Sequence, residues 1–139
     1  MPRLPRLRRS GLFLLMLVLA GSALARESLY QLDLSDRHAQ ELGVTVTFEE
    51  VEGRTLDIHL PVWRTGLYRQ LDPVGTLSGL EAENADGESL AIEQTDTSSW
   101  RIRRNDSDSG SVRVRYRIYA NSLGDRTRHV DAEHAFVNP

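Results

Sequence analysis

Apolar and polar residues alternate along most of the chain after residue 28, and a period of two predicts β-strands. The clearest case is the stretch 112–119, in which Val112, Val114, Tyr116 and Ile118 alternate with arginines. Further strands are predicted over 29–34, 44–48, 55–60, 80–83, 90–93 and 100–103. Only 36–42 has a helical pattern, and it is long enough for a single turn.

Polar turns separate these strands and predict how they connect. The connection 49–53, which ends in a glycine, predicts a hairpin joining 44–48 to 55–60. Asp86-Gly87 is a typical hairpin turn and predicts a second hairpin joining 80–83 to 90–93. Short strands linked by such turns, without crossover helices, predict an all-β fold, an antiparallel β-sandwich.

The first 25 residues have the features of a cleaved signal peptide. Four arginines precede the apolar run 11–20, and Ala23-Leu24-Ala25 supplies the small residues of a cleavage site. The run is shorter than the roughly 20 residues of a membrane-spanning helix. We therefore expect a signal peptide over 1–25, a mature domain over 26–139, and a periplasmic or secreted bacterial protein that leaves the membrane after cleavage.

Charge and cysteine content narrow the function further. Removal of four arginines and no acid lowers the formal net charge from −3 to −7, which argues against a nucleic-acid partner. The chain has no cysteine, so its stability cannot depend on disulfides. The mature length suits one modest domain with an ordinary hydrophobic core.

Several motifs occur in an order typical of one protein family. An early strand reads Tyr30-Gln31-Leu32-Asp33-Leu34-Ser35, and Pro61, Trp63, Gly66 and Tyr68 follow at fixed offsets. Later come Trp100, the strand 112–120, and an ending built from Arg126, Arg128, Asp131, Ala135, Phe136 and Asn138. In this order the motifs resemble the N-terminal domain of the glycyl aminopeptidase family of zinc metallopeptidases (metallopeptidase family sixty-one). Thr65 departs from the family pattern, which has a proline there.

The resemblance implies a non-catalytic β-domain that supports a catalytic domain in cis and helps shape substrate access, with peptides as further partners. It also implies that the zinc motif lies in the following domain, so this chain is expected to be truncated and to hold no cofactor or metal itself. A candidate surface for contact with the catalytic domain or its substrate comprises Trp63, Gly66, Tyr68, Asp131, Glu133 and His134. For Trp63, Gly66 and Tyr68, a packed sandwich corner is favoured over that surface role.

The residues themselves offer little catalytic chemistry. None of the four histidines has the His-Glu-x-x-His spacing of a zinc peptidase. In an extended conformation His129, Asp131 and Glu133 would share one face, which leaves a metal site open, although a hydrogen-bonded edge or interdomain segment is the favoured interpretation. His59 is expected to face solvent.

An arginine stripe of Arg113, Arg115 and Arg117 runs along one strand, with Arg101 and Arg103 expected on a neighbouring strand. Such a stripe suits a carboxylate partner or, alternatively, cross-strand pairing with Glu81, Glu83 and Glu93.

Three functions remain open from the sequence. The first is the N-terminal domain of an exported metallopeptidase, the second is a free-standing periplasmic binding module, and the third is a metal-dependent activity built on His129, Asp131, Glu133 and His134.

Overall fold

A computed structural model describes residues 28–63, 72, 74–105, 110–123 and 128–137. The signal-peptide prediction falls outside these residues. Within these described ranges, nine strands and two short 3₁₀ turns make up the regular structure. The strands are β1 (Ser28–Asp33), β2 (Glu41–Phe48), β3 (Thr55–His59), β4 (Leu77–Glu83), β5 (Ala91–Asp96), β6 (Ser99–Arg103), β7 (Val112–Tyr119), β8 (Arg128–Val130) and β9 (Ala135–Val137), and the 3₁₀ turns are Arg37–Ala39 and Val74–Thr76. Within the described ranges, no helix is long and apolar enough to cross a membrane.

The strands form two antiparallel sheets and one hairpin. The four-stranded sheet has the order β1-β2-β7-β4, the three-stranded sheet has the order β3-β6-β5, and β8 pairs with β9. The predicted all-β antiparallel fold is therefore confirmed, and the single helical turn expected over 36–42 is the 3₁₀ turn at Arg37–Ala39.

Two of the predicted connections need correction. β2 and β3 do not form a hairpin, because β2 belongs to the four-stranded sheet and β3 to the three-stranded sheet. The side chain of Arg104 holds the connection between β2 and β3 in place. Its Nη1 donates to the carbonyl oxygens of Val51 (2.5 Å) and Gly53 (2.9 Å) in that connection. The loop therefore bends away from β2 toward the end of β6.

The Asp86-Gly87 turn reverses the chain as predicted, but its flanking strands then separate into different sheets. Buried Asn84 organises this turn, since its side-chain oxygen accepts from the backbone amides of Asp86 (3.1 Å) and Glu88 (2.8 Å). Gly87 lies at φ 83°, which a residue without a Cβ adopts readily. One antiparallel bridge, Glu83 to Ser89, is formed before β4 and β5 part.

The core lies on one face of the four-stranded sheet, which we call the inner face. Cross-strand register places Leu42 opposite Ile118, Val44 opposite Tyr116 and Val46 opposite Val114 on this face. The three-stranded sheet covers one part of it, where Ile102 packs with Val112 and Val114. The β8–β9 hairpin covers the other part, where Val130 packs with Leu42 and Ile118.

Candidate functional site

A notch opens on the inner face where the three-stranded sheet meets it. Its volume is about 70 Å³, and its wall includes Tyr30, Val46 and Val114, which are consecutive cross-strand neighbours in the sheet. Tyr116 and Trp100 add two further aromatic walls. The remaining lining residues are Phe48, Ile58, His59, Leu60, Leu77 and Leu80. The described lining contains no carboxylate, so the notch suits an apolar side chain better than a charged ligand.

Tyrosine hydroxyls give the notch a limited polar character. Burial raises the pKa of Tyr116 above its ordinary value, and the neighbouring Tyr30 adds to that rise. The Tyr116 phenol therefore stays neutral across the physiological pH range and can donate a hydrogen bond. His59 lies at the rim and is exposed, as the sequence predicted.

Trp63 lies just beyond the end of β3, close to this region in the chain. Leu60 is held at the sheet end because its backbone amide donates to the carbonyl of Ser98 at 2.9 Å, and Pro61 supplies no amide donor. Trp63 is 58% exposed, and its part in a surface or a packed corner stays a prediction. Gly66 and Tyr68 lie outside the described residues, so their part of the expected aromatic surface stays a prediction.

The second group of predicted site residues forms the turn of the β8–β9 hairpin. Asp131 Oδ1 accepts from the backbone amides of Glu133 (2.8 Å) and His134 (2.6 Å). His129 Nε2 lies 3.0 Å from Asp131 Oδ2 and donates to it, because an ionised carboxylate only accepts. We call this group the Asp131 turn. Glu133 and His134 are themselves exposed.

Residues 129–133 are not extended, so they lack the shared strand face on which the sequence left a metal site open. Asp131 follows β8 and closes a tight turn, so it does not share a strand face with Glu133. A side-chain carboxylate that satisfies backbone amides two and three positions ahead favours such a turn over continued strand. The hydrogen bond from His129, followed by those from the Glu133 and His134 amides, lowers the pKa of Asp131 from 3.8 to about 2.

The arrangement does not fit a zinc ion. Both oxygens of Asp131 are engaged, one by two backbone amides and the other by His129. Within the part of the chain that the structure describes, no group of three or more His, Cys, Asp or Glu side chains could hold a metal ion.

The arginine stripe is paired with acids inside the fold. Arg113 and Arg115 of β7 both donate to Glu83 Oε1 of β4, the latter at 2.7 Å, and Arg117 lies 3.9 Å from Glu41. For Arg113, Arg115 and Arg117, cross-strand pairing with acids of the same sheet is therefore confirmed. The alternative, a stripe that binds the carboxylate of a partner, is not supported.

Arg101 and Arg103 do not neighbour the stripe, because both belong to β6 of the other sheet. There Arg101 binds Asp57 through two hydrogen bonds of 2.7 Å, and Arg103 binds Glu93 at 2.6 Å. These exposed pairs orient side chains on the sheet surface and contribute little stability.

The notch could not be found from the sequence because its walls come from six different strands. The alternation in β1 and β7 marks Tyr30 and Tyr116 as inward-facing. What brings them together is the placement of β2 between these two strands. A strand pattern carries no information about which distant strand lies beside it.

Comparison with known proteins places these features in context. The family model for the peptidase M61 N-terminal domain matches residues 29–139. The crystal structure of an aminopeptidase N family protein from Idiomarina loihiensis is similar, with a TM-score of 0.67 and 28% sequence identity over 76% of this chain. The matched part makes up 17% of that solved chain. No curated protein matches.

Proposed function

Because the chain belongs to the peptidase M61 N-terminal domain family, we propose that it serves an exported, glycyl-aminopeptidase-like metallopeptidase as a non-catalytic β-domain. In this role it supports the catalytic domain of the same polypeptide and helps shape the approach of peptide substrates. Its partner is the catalytic domain, and its contribution is a rigid surface.

The observation that carries the proposal is the extent of the family match. It runs from residue 29 to residue 139, whereas the similar region is a small part, 17%, of the solved Idiomarina loihiensis chain. A domain that is one part of a longer peptidase needs a surface for the remaining parts. The apolar notch and the exposed ring of Trp63 supply area of the kind that domain interfaces bury.

Zinc, in this proposal, is held by the catalytic domain. Zinc sites in peptidases combine three protein ligands with a bound water that the metal activates. The Asp131 turn does not fit that requirement, since its carboxylate is already occupied by hydrogen bonds. We therefore assign no reaction step to residues of this chain.

Export is proposed from the N-terminal segment, with cleavage after Ala25 and release to the periplasm or the medium. Fractionation of cells that express the chain, followed by N-terminal sequencing of the recovered protein, checks this. Arg26 as the first residue of a periplasmic or secreted product is expected. A cytoplasmic product that starts at Met1 would contradict export and leave the family assignment untouched.

The decisive experiment on the role itself is to read the genomic sequence beyond codon 139. An open or frameshifted reading frame that encodes His-Glu-x-x-His within a few hundred codons is the expected result. A stop codon followed by an unrelated gene would contradict the proposal and favour a free-standing periplasmic binding module, in which the same surface faces a ligand.

A further inference from the structure

The two sheets have four edge strands among the described residues, and three of them carry features that discourage pairing with another chain. β4 is interrupted by a register shift between Ser78 and Glu81. β5 is shifted between Gln94 and Asp96. β3 is five residues long and has the charged Asp57 at its centre. Bulges, short length and charges are the usual means by which sheet edges avoid aggregation.

The remaining edge strand, β1, has none of these features. It pairs with β2 in unbroken register from Ser28 to Asp33, and all six of its residues are exposed. One face carries the apolar Tyr30 (63% exposed) and Leu32 (51%), and the other carries Leu29 (61%) beside the uncharged Gln31. Its one charged residue stands at the end. A regular, apolar edge of this kind presents a row of backbone donors and acceptors to a further strand.

We propose that β1 pairs in antiparallel orientation with β1 of a second copy of this chain, about a twofold axis through Gln31. The two four-stranded sheets then become one continuous sheet of eight strands. The strand is self-complementary in this register, which is what a twofold interface requires.

The side chains select the register. Opposite residues in an antiparallel pair point to the same face, so with Gln31 on the axis each Tyr30 faces Leu32 of the other copy. Aromatic and aliphatic partners of this kind stabilise a strand pair. An axis through Tyr30 would instead leave Leu32 opposite Ser28.

Charge and polarity agree with this register. Asp33 faces Leu29 of the other copy, so no like charges oppose each other across the axis. The two Gln31 amides meet at the axis, where each can donate to and accept from the other. The Tyr30 and Leu32 side chains of both copies then cover one another along the uncovered margin of the inner face, beside the notch.

Cross-linking tests the register directly, because the chain contains no cysteine. Gln31→Cys puts two thiols opposite each other across the axis, at a spacing that a disulfide spans. Ala91→Cys is the matched control, since Ala91 is exposed on the edge strand β5. Residues 1–139 are expressed, processing is left to the host, and the purified variants are oxidised at equal concentrations. Disulfide-linked dimers are expected from Gln31→Cys and not from Ala91→Cys.

Sedimentation equilibrium of the cysteine-free protein tests association without a covalent link. Concentration-dependent dimerisation is expected, and Leu32→Lys should weaken it by about tenfold, because two Tyr–Leu pairs are lost per dimer. Leu32 is exposed, and an unchanged circular dichroism spectrum shows that the variant folds.

Two outcomes overturn the proposal. One is a monomer at every concentration, with Gln31→Cys oxidising no faster than Ala91→Cys. The other is association that Leu32→Lys leaves unchanged, which would assign the contact to another surface or to a strand from a different polypeptide. Neither outcome bears on the reading frame beyond codon 139.

Discussion

The inner face of the four-stranded sheet has two covers of very different construction. The three-stranded sheet covers it around Val112 and Val114, and its central strand buries Ile102 completely. The β8–β9 hairpin covers it around Leu42 and Ile118 with two strands of three residues each. Both covers exclude water from the core beneath them, yet one is a sheet of three strands and the other a hairpin of two short strands.

The covers also differ in how they are attached. Arg104 ties the three-stranded sheet to the loop before β3 through two backbone carbonyls. The hairpin continues from the end of β7: the Val130 amide donates to the Ala120 carbonyl at 2.7 Å, and Asp131 closes the turn beyond it. The two covers bury core residues equally well, but they need not resist local unfolding equally. Few paired residues make the hairpin the candidate for local unfolding.

The largest effect is expected from Ile102→Ala beneath the three-stranded sheet. Truncation of a fully buried isoleucine removes its packing and leaves a cavity, so the free energy of unfolding should fall by about 2 to 5 kcal/mol. Urea denaturation followed by circular dichroism measures this. Ile102→Val is the control and should cost about 0.5 to 1.5 kcal/mol. A loss below that of the control would show that this cover is as loosely packed as the hairpin.

A matched pair of valines compares the two covers directly. Val112 and Val130 are each 0% exposed, so the same substitution removes the same groups. Val112→Ala should lower the global free energy of unfolding by about 2 kcal/mol, because two buried carbons are lost together with their contacts. Val130→Ala should lower it less and should instead speed amide hydrogen exchange in β8 and β9, since the hairpin opens before the rest of the protein unfolds.

Equal global losses for the two valine variants, with no selective change in exchange, would refute this distinction. In that case the hairpin and the three-stranded sheet would belong to one cooperative unit. Native-state hydrogen exchange at increasing urea separates the two results, because locally opening amides exchange independently of low denaturant concentrations.

The smallest and most local effect is expected from lowering the pH, because this protonates Asp131 in the turn of the β8–β9 hairpin. The folded-state pKa of Asp131 is about 2, below its ordinary value of 3.8. A lowered pKa contributes stability that is fully present above 3.8 and is lost as the pH falls through about 2. Amides of Glu133 and His134 should titrate with a midpoint near 2 in NMR spectra, while amides around Ile102 stay unchanged.

Asp131→Asn is the control for the acid experiment. The amide keeps an acceptor oxygen for the turn but has no proton to gain in this range, so the titration at Glu133 and His134 should disappear. A midpoint near 4 in the unsubstituted protein would contradict the hydrogen bonding described for the Asp131 turn.

Much of the fold was predictable because alternation reports directly on burial. The inward residues of β7 and β2 were identified from period two alone, and so was the outward orientation of His59. Alternation does not report which sheet a strand joins. The connection after β2 fits a hairpin or a crossing between sheets equally well, and buried Arg104 decides for the crossing through contacts about fifty positions away in the sequence.

The candidate surface was less predictable than the fold. Trp63 follows a strand-ending proline, a pattern that favours a packed corner, whereas the residue is 58% exposed. Around Asp131 the sequence favours a hydrogen-bonded segment over a metal site, but it was not used to predict the turn that Asp131 makes. An aspartate whose carboxylate accepts from amides two and three positions ahead is a common turn signal, and that signal was present in the sequence.

The pairing of β2 with β7 governs how quickly this protein becomes folded. It joins Phe48 to Val112 and Glu41 to Tyr119, so about half of the 139-residue chain lies between the partners. Native sheet formation must wait for that long loop to close, which makes folding slow for a domain of this size. During synthesis β1 and β2 are present long before β7, with Val44 and Val46 uncovered. A chaperone that shields this early hairpin would therefore raise the yield of folded protein.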